Sequence, residues 1–107
     1  MASFRSMLGV PPSTASTADS VLVIIDAQNE YAQGKLLISG VETSRVAHVC
    51  VSTTARQAAE KGWDVIIVED AVGDRDIPGS KADEVKRVAL NEIADAFGTI
   101  IQSKEIQ

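Results

Sequence analysis

Two short apolar runs constrain most strongly what this chain can fold into. Val21-Leu22-Val23-Ile24-Ile25 is continuous and rich in β-branched residues, and Trp63-Asp64-Val65-Ile66-Ile67-Val68 ends in a second such run. Continuous rather than alternating apolar runs of this length suit strands covered on both faces of a parallel sheet. Parallel neighbours need long crossovers, usually helical. From about Val49 to Lys61 good helix formers accumulate, and Gly62 supplies a C-terminal stop. After Pro78-Gly79, Ser80 is placed to cap a helix running to about Phe97, with Ala82, Val85, Ala89, Ile93 and Phe97 on one apolar stripe. Gly98-Thr99-Ile100-Ile101 then reads as a closing strand, and Lys35 to Gly40 holds either a further short strand, Leu36-Leu37-Ile38, or an apolar anchor in a loop. Strands alternating with helices predict an α/β fold: a mainly parallel sheet, helices over its faces, right-handed crossovers.

With 107 residues, 45% of them hydrophobic, the chain has the size of one domain. Residues 21–107 are expected to form it, and residues 1–20, rich in Ser and Thr and interrupted by Gly9 and Pro11-Pro12, to form a flexible N-terminal segment. The net charge of −5 opposes phosphate backbones, and no basic block offsets it, so nucleic acid is not expected as a partner. The longest apolar run is far shorter than the roughly 20 residues a membrane-spanning helix needs. Cys50 is the only cysteine, which rules out an internal disulfide and gives the expectation of a reducing, cytoplasmic setting.

That cysteine falls at the expected start of the helix after the first strand. There the positive end of the helix dipole favours thiolate, which makes Cys50 a candidate nucleophile; a small buried hydrophobe between Val49 and Val51 is the competing reading. Asp26 closes the first apolar run, where open α/β sheets place their ligands. It is a candidate general acid and base, or a carboxylate that bonds the backbone of the turn. His48 is poorly placed as the base of a Cys-His pair. One histidine and one cysteine do not make a metal site, and Asp70, Asp74 and Asp76 lack calcium-loop spacing, so they read as a solvated acidic turn.

The stretch Val21 to Ile25 followed by Asp26-Ala27-Gln28-Asn29-Glu30-Tyr31 resembles the opening signature of the isochorismatase-like cysteine hydrolases. Val46-Ala47-His48-Val49-Cys50-Val51-Ser52-Thr53-Thr54-Ala55-Arg56-Gln57-Ala58, followed by Gly62-Trp63-Asp64-Val65 and Val68-Glu69-Asp70-Ala71, resembles the nucleophile segment of the same superfamily. The resemblance implies a Rossmann-like three-layer fold and hydrolysis of a small amide or related C–N compound, or cleavage of the vinyl ether in isochorismate. It further implies Cys50 as nucleophile, Asp26 as its proton shuttle, and the backbone N–H groups of Ala47 and Cys50 as the oxyanion hole, the bond before Ala47 matching one that is often cis in the family. Gln28 and Tyr31 become neighbours of the pocket. A small-molecule substrate, no cofactor, no metal and a possible homo-oligomer complete the expectation.

One departure is large. The family carries a long middle section between the two signatures, with further strands and helices and a catalytic lysine. This chain passes from the first signature's loop directly to the nucleophile segment, so the fold is expected to be reduced in size. Lys35, the one lysine between Asp26 and Cys50, sits in a context that does not match. The alternative to a working hydrolase is therefore a catalytically inactive shortened chain that acts by protein association, through the edges and apolar faces a reduced sheet leaves open.

Overall fold

The computed structural model describes residues 1–21, Val23 and 47–107, with the backbone alone at Ala47 and His48. The expected elements at Ile24 and Ile25, at Leu36 to Ile38, and the Val46–Ala47 bond lie outside these residues, as do Asp26, Gln28, Tyr31 and Lys35. Val21 and Val23 are described; neither lies in a strand and both are exposed.

Within the described residues the elements are helix α1 (Phe4–Met7), a wide π turn (Ala47–Val51) continuing into α2 (Ser52–Glu60), strand β1 (Val65–Val68), a single 3-10 turn (Glu69–Ala71), helix α3 (Ala82–Ala96), strand β2 (Gly98–Ile101) and a second 3-10 turn (Ser103–Glu105). β1 and β2 pair in parallel, Val65 with Gly98 through Val68 with Ile101, and α3 is the crossover between them. This is the strand, helix, strand unit expected from sequence, and the fold is a reduced α/β fold. α2 ends as expected: Gly62 takes φ +89°, its N–H donates to the Ala59 carbonyl, and the Trp63 N–H donates to that of Ala58. Only a residue without a Cβ adopts that left-handed turn cheaply.

The core forms where the two longer helices meet one face of the sheet. Val51 and Ala55 from the first helical stretch and Leu90 and Ile93 from α3 are buried together, with Val65, Ile67, Phe97 and Ile100 packed against them. Val65, Ile67 and Ile100 share a face because side chains alternate along a strand and Ile67 is in register with Ile100. The apolar stripe expected on α3 is there: Val85, Ala89 and Ile93 are buried, Ala82 and Phe97 half-buried, and Ile93 has no solvent exposure at all.

Residues 1–20, expected to be a flexible lead, make hydrogen bonds to the rest of the chain. The Ser13 N–H donates to Thr99 Oγ1 at 2.9 Å, the Ser13 hydroxyl to Asp64 at 2.5 Å and the Phe4 N–H to Asp95 at 2.7 Å. Thr17 and Ala15 exchange backbone hydrogen bonds with the terminal residue Gln107, both 2.9 Å. The physical reason is that Thr99 alternates onto the sheet face opposite the helices, where its hydroxyl needs a partner and the Ser-rich segment brings one.

A correction concerns Asp74, read with Asp70 and Asp76 as a solvated acidic turn; Asp70 and Asp76 are exposed, as that reading has them, and Asp74 is not. Asp74 is 3% exposed and accepts the Arg75 N–H. Asp70 accepts both the N–H and the hydroxyl of Ser103, and Asp76 accepts the Ala82 N–H at 2.8 Å. Asp76 thus does at α3 what was expected of Ser80. Ser80 instead closes a turn with Ile77 by two 3.0 Å backbone bonds, around Pro78 and a left-handed Gly79. Carboxylates are drawn to these places because the first N–H groups of a helix have no partner inside it.

These bonds hold the carboxyls of Asp70 and Asp76 below the usual value, through the Ser103 hydroxyl for Asp70 and the Ala82 amide for Asp76. A carboxyl depressed in the folded state stabilises above its unfolded value and loses that contribution as pH falls through its folded value. The thermal midpoint is therefore expected to decline on acidification below about pH 4, and Asp70→Asn to flatten the decline. An Asp70→Asn curve that parallels the wild type across that range would remove this assignment.

Candidate functional site

Val49, Cys50 and Val51 follow one another in a wide turn, and the fold gives each a different environment. Val51 is 3% exposed and belongs to the core, Val49 is exposed, and Cys50 is half-buried. Sequence reasoning placed Cys50 at a helix start. The structure places it fourth in the π turn Ala47–Val51, whose last residue leads into α2. π turns are rare, and they appear frequently at functional sites, because the hydrogen-bonded loop is wider and less well packed than an α-helical turn. Ala47 and Cys50, the expected oxyanion donors, lie three residues apart within this one turn. Asp26, Gln28 and Tyr31 lie outside the described residues, so the structure does not bring them to Cys50 or separate them from it.

Beyond the turn lies a network that sequence reasoning missed. Ser52, only 6% exposed, accepts a hydrogen bond from Arg56 Nε at 3.0 Å. The same guanidinium donates from Nη2 to Glu92 Oε2 of α3 at 2.8 Å, and its Cζ stands 4.7 Å from the centre of the Phe97 ring. Arg56, itself in α2, thus bonds the first turn of its own helix and reaches the α3 side at two points, Glu92 and the Phe97 ring just past the last turn, which its fork of donors and flat face allow and an ammonium would not. The i, i+4 spacing of Ser52 and Arg56 was the legible signal; nothing in the sequence pointed to Glu92.

An open cleft of about 260 Å³ runs beside this network, lined by Ser52, Arg56, Ser80, Glu84, Val88 and Glu92 among others. Cys50 is not in its lining, so the cleft is described separately from the thiol. Among the described residues no three His, Cys, Asp or Glu side chains are grouped to hold a metal ion, and no helix is long and apolar enough to cross a membrane.

Residues 32–105, more than half of the chain, match the family model described as an isochorismatase domain. Ala47 and Cys50 fall inside the matched range, whereas Asp26, Gln28 and Tyr31 precede it. A protein of Verticillium dahliae named as a secreted isochorismatase effector is 42% identical over 189 residues, spanning 99% of this chain and 100% of that protein. Because this chain has 107 residues, much of that alignment stands opposite gaps here, as a section missing between matching ends requires. An isochorismatase-like protein of Emericella nidulans is 53% identical over 117 residues, 98% of this chain and 85% of that protein. That alignment is close to this chain's own length, so a relative shares the short spacing.

The expectation of a cytoplasmic chain is corrected by the first of these relatives, which is named as secreted. A lone cysteine excludes an internal disulfide in every compartment alike, so it carried less information about location than the reading drew from it.

Proposed function

We propose, from the premise that the chain belongs to the isochorismatase family, that it hydrolyses a small amide or related C–N compound through Cys50, with Asp26 as acid and base. The family role is hydrolase-like; the substrate class and the two residues are the proposal. The observation that carries it is the position of Cys50, half-buried on a π turn at the start of a helix and inside the family match. A thiol there sits near enough to solvent to be reached and near enough to a helix start for its anion to be favoured.

In this reading Asp26 takes the thiol proton and the thiolate attacks the carbonyl carbon. The Ala47 and Cys50 amides hold the oxyanion, and Asp26 returns the proton to the departing nitrogen. Water then hydrolyses the thioester by the same route. The relative named an isochorismatase supports vinyl ether substrates as a second branch, and its being secreted supports action outside the producing cell, to be checked by recovering the chain from culture filtrate.

The second reading, an inactive chain that acts by association, is favoured by one observation: Lys35, the sole lysine between Asp26 and Cys50, lies in a context unlike that of the family's catalytic lysine. Removing one member of a catalytic unit costs several orders of magnitude in rate. Intact-mass trapping on a panel of small amides, with vinyl ether turnover followed alongside, separates the readings. A covalent adduct absent from Cys50→Ala and Asp26→Asn supports the hydrolase. Its absence from folded wild-type protein, with no turnover, turns the question to binding partners.

A further inference from the structure

A thiol on a π turn is only as well placed as that turn. We infer that Ser52, Arg56 and Glu92 are positioning residues for Cys50: the Arg56 guanidinium straps the turn against α3 and fixes where the thiol stands. The inference rests on the reading of Cys50 as the reacting thiol.

Three observations carry it. First, the π turn and the start of α2 are a continuous helical stretch, so Ser52 lies two residues beyond Cys50 and one beyond Val51, which is buried in the core. Whatever holds Ser52 sets the end of the turn. Second, Val51 at the junction is itself in the right-handed helical conformation (φ −69°, ψ −47°), so the turn passes into α2 without a break and a shift of Ser52 is passed on to Cys50. Third, the Ser52 hydroxyl is almost fully buried and is held at 3.0 Å by a guanidinium that is itself fixed on a carboxylate and on an aromatic face of another part of the fold. An exposed ion pair formed by two long side chains contributes little. This one differs because one planar group makes all three contacts at once, and the fork geometry leaves Ser52 little room to move relative to α3.

The two donor positions predict a particular failure. Lysine at position 56 keeps the charge and much of the stem but cannot reach Ser52 and Glu92 at once, so charge alone is not expected to rescue the site. The test follows Cys50 alkylation by iodoacetamide across pH in the full chain, with amide exchange over 47–51 read by mass spectrometry on the same proteins. Arg56→Lys and Ser52→Ala are expected to slow alkylation at neutral pH on the order of tenfold and to move its pH profile up by about one unit. Exchange over 47–51 should rise while the thermal midpoint stays put. Lys81→Ala, which breaks only the exposed pair with Asp76, should follow the wild type in every readout.

Wild-type profiles and exchange in both Arg56→Lys and Ser52→Ala would overturn the inference. A wild-type thiol that alkylates only at the pH of an ordinary cysteine would sink the reading of Cys50 as nucleophile. The exchange measurement then decides the positioning claim by itself, upheld if 47–51 exchanges faster in the two variants and overturned if it does not.

Discussion

Ile93→Ala is expected to lower the unfolding free energy by about 3 kcal/mol or more, the range for emptying a fully buried aliphatic site. Ile93 has no exposed surface and sits among Val51, Ala55 and Leu90, at the point where both helices meet the sheet. Alanine there loses the burial of three carbons and leaves a cavity whose lining comes from three different elements, so no one of them can move in to fill it. For a small domain, whose total stability is on the order of 5–15 kcal/mol, the loss is large. Urea unfolding should show a lower midpoint at an unchanged slope, with Ile93→Val costing roughly 0.5–1.5 kcal/mol. An alanine variant within about 1 kcal/mol of the wild type would mean that the core is not organised around α3.

Gly98→Ala is the second large effect, and here the cause is overpacking. A Cβ at position 98 would stand 2.7 Å from the Val65 carbonyl oxygen and 3.2 Å from the Val65 Cβ and Cγ1. The first contact is with backbone, which cannot rotate away, so β1 and β2 must separate or shift where their pairing begins. Overpacking of this kind costs about 1–3 kcal/mol. The circular dichroism signal should melt at a lower temperature, and amide protection in Val65–Val68 should fall before that of α3. If Gly98→Ala melts with the wild type, the close approach of the strands is absent in solution. Gly79 differs: a Cβ there would meet nothing within 4 Å, and glycine is needed instead for its φ of +91°.

Much of the framework was legible because it depends on local pattern. β1 was readable from consecutive β-branched residues, the end of α2 from Gly62, and the buried face of α3 from the spacing of Val85, Ala89 and Ile93. Family membership was legible from the two signatures and is borne out by the domain match. The errors fell where a backbone group had more than one side chain within reach, or found one that folding brought to it. Ser80 was an adequate cap by type and position, yet Asp76 holds the Ala82 amide; Asp70 is exposed, as read, but nothing in the sequence pointed to its bond with Ser103, 33 residues away.

The sequence by itself determined the alternation of strand and helix, the buried side of α3, and the identity of Cys50 as the one thiol available for chemistry. Those follow from side-chain volume, branching and periodicity, which each segment carries without the others. The tertiary structure alone decided that Cys50 stands in a π turn rather than at the cap of an α-helix, and that Arg56, bonded to Ser52, reaches Glu92 from 36 residues away. It also decided that the opening segment is bound to the sheet through Thr99 and to the stretch after it through Gln107. The Arg56–Glu92 bond and the ties of the opening segment pair a polar group with a partner far along the chain, and such a pairing is set by which elements pack side by side and by the need of every buried donor and acceptor for a partner.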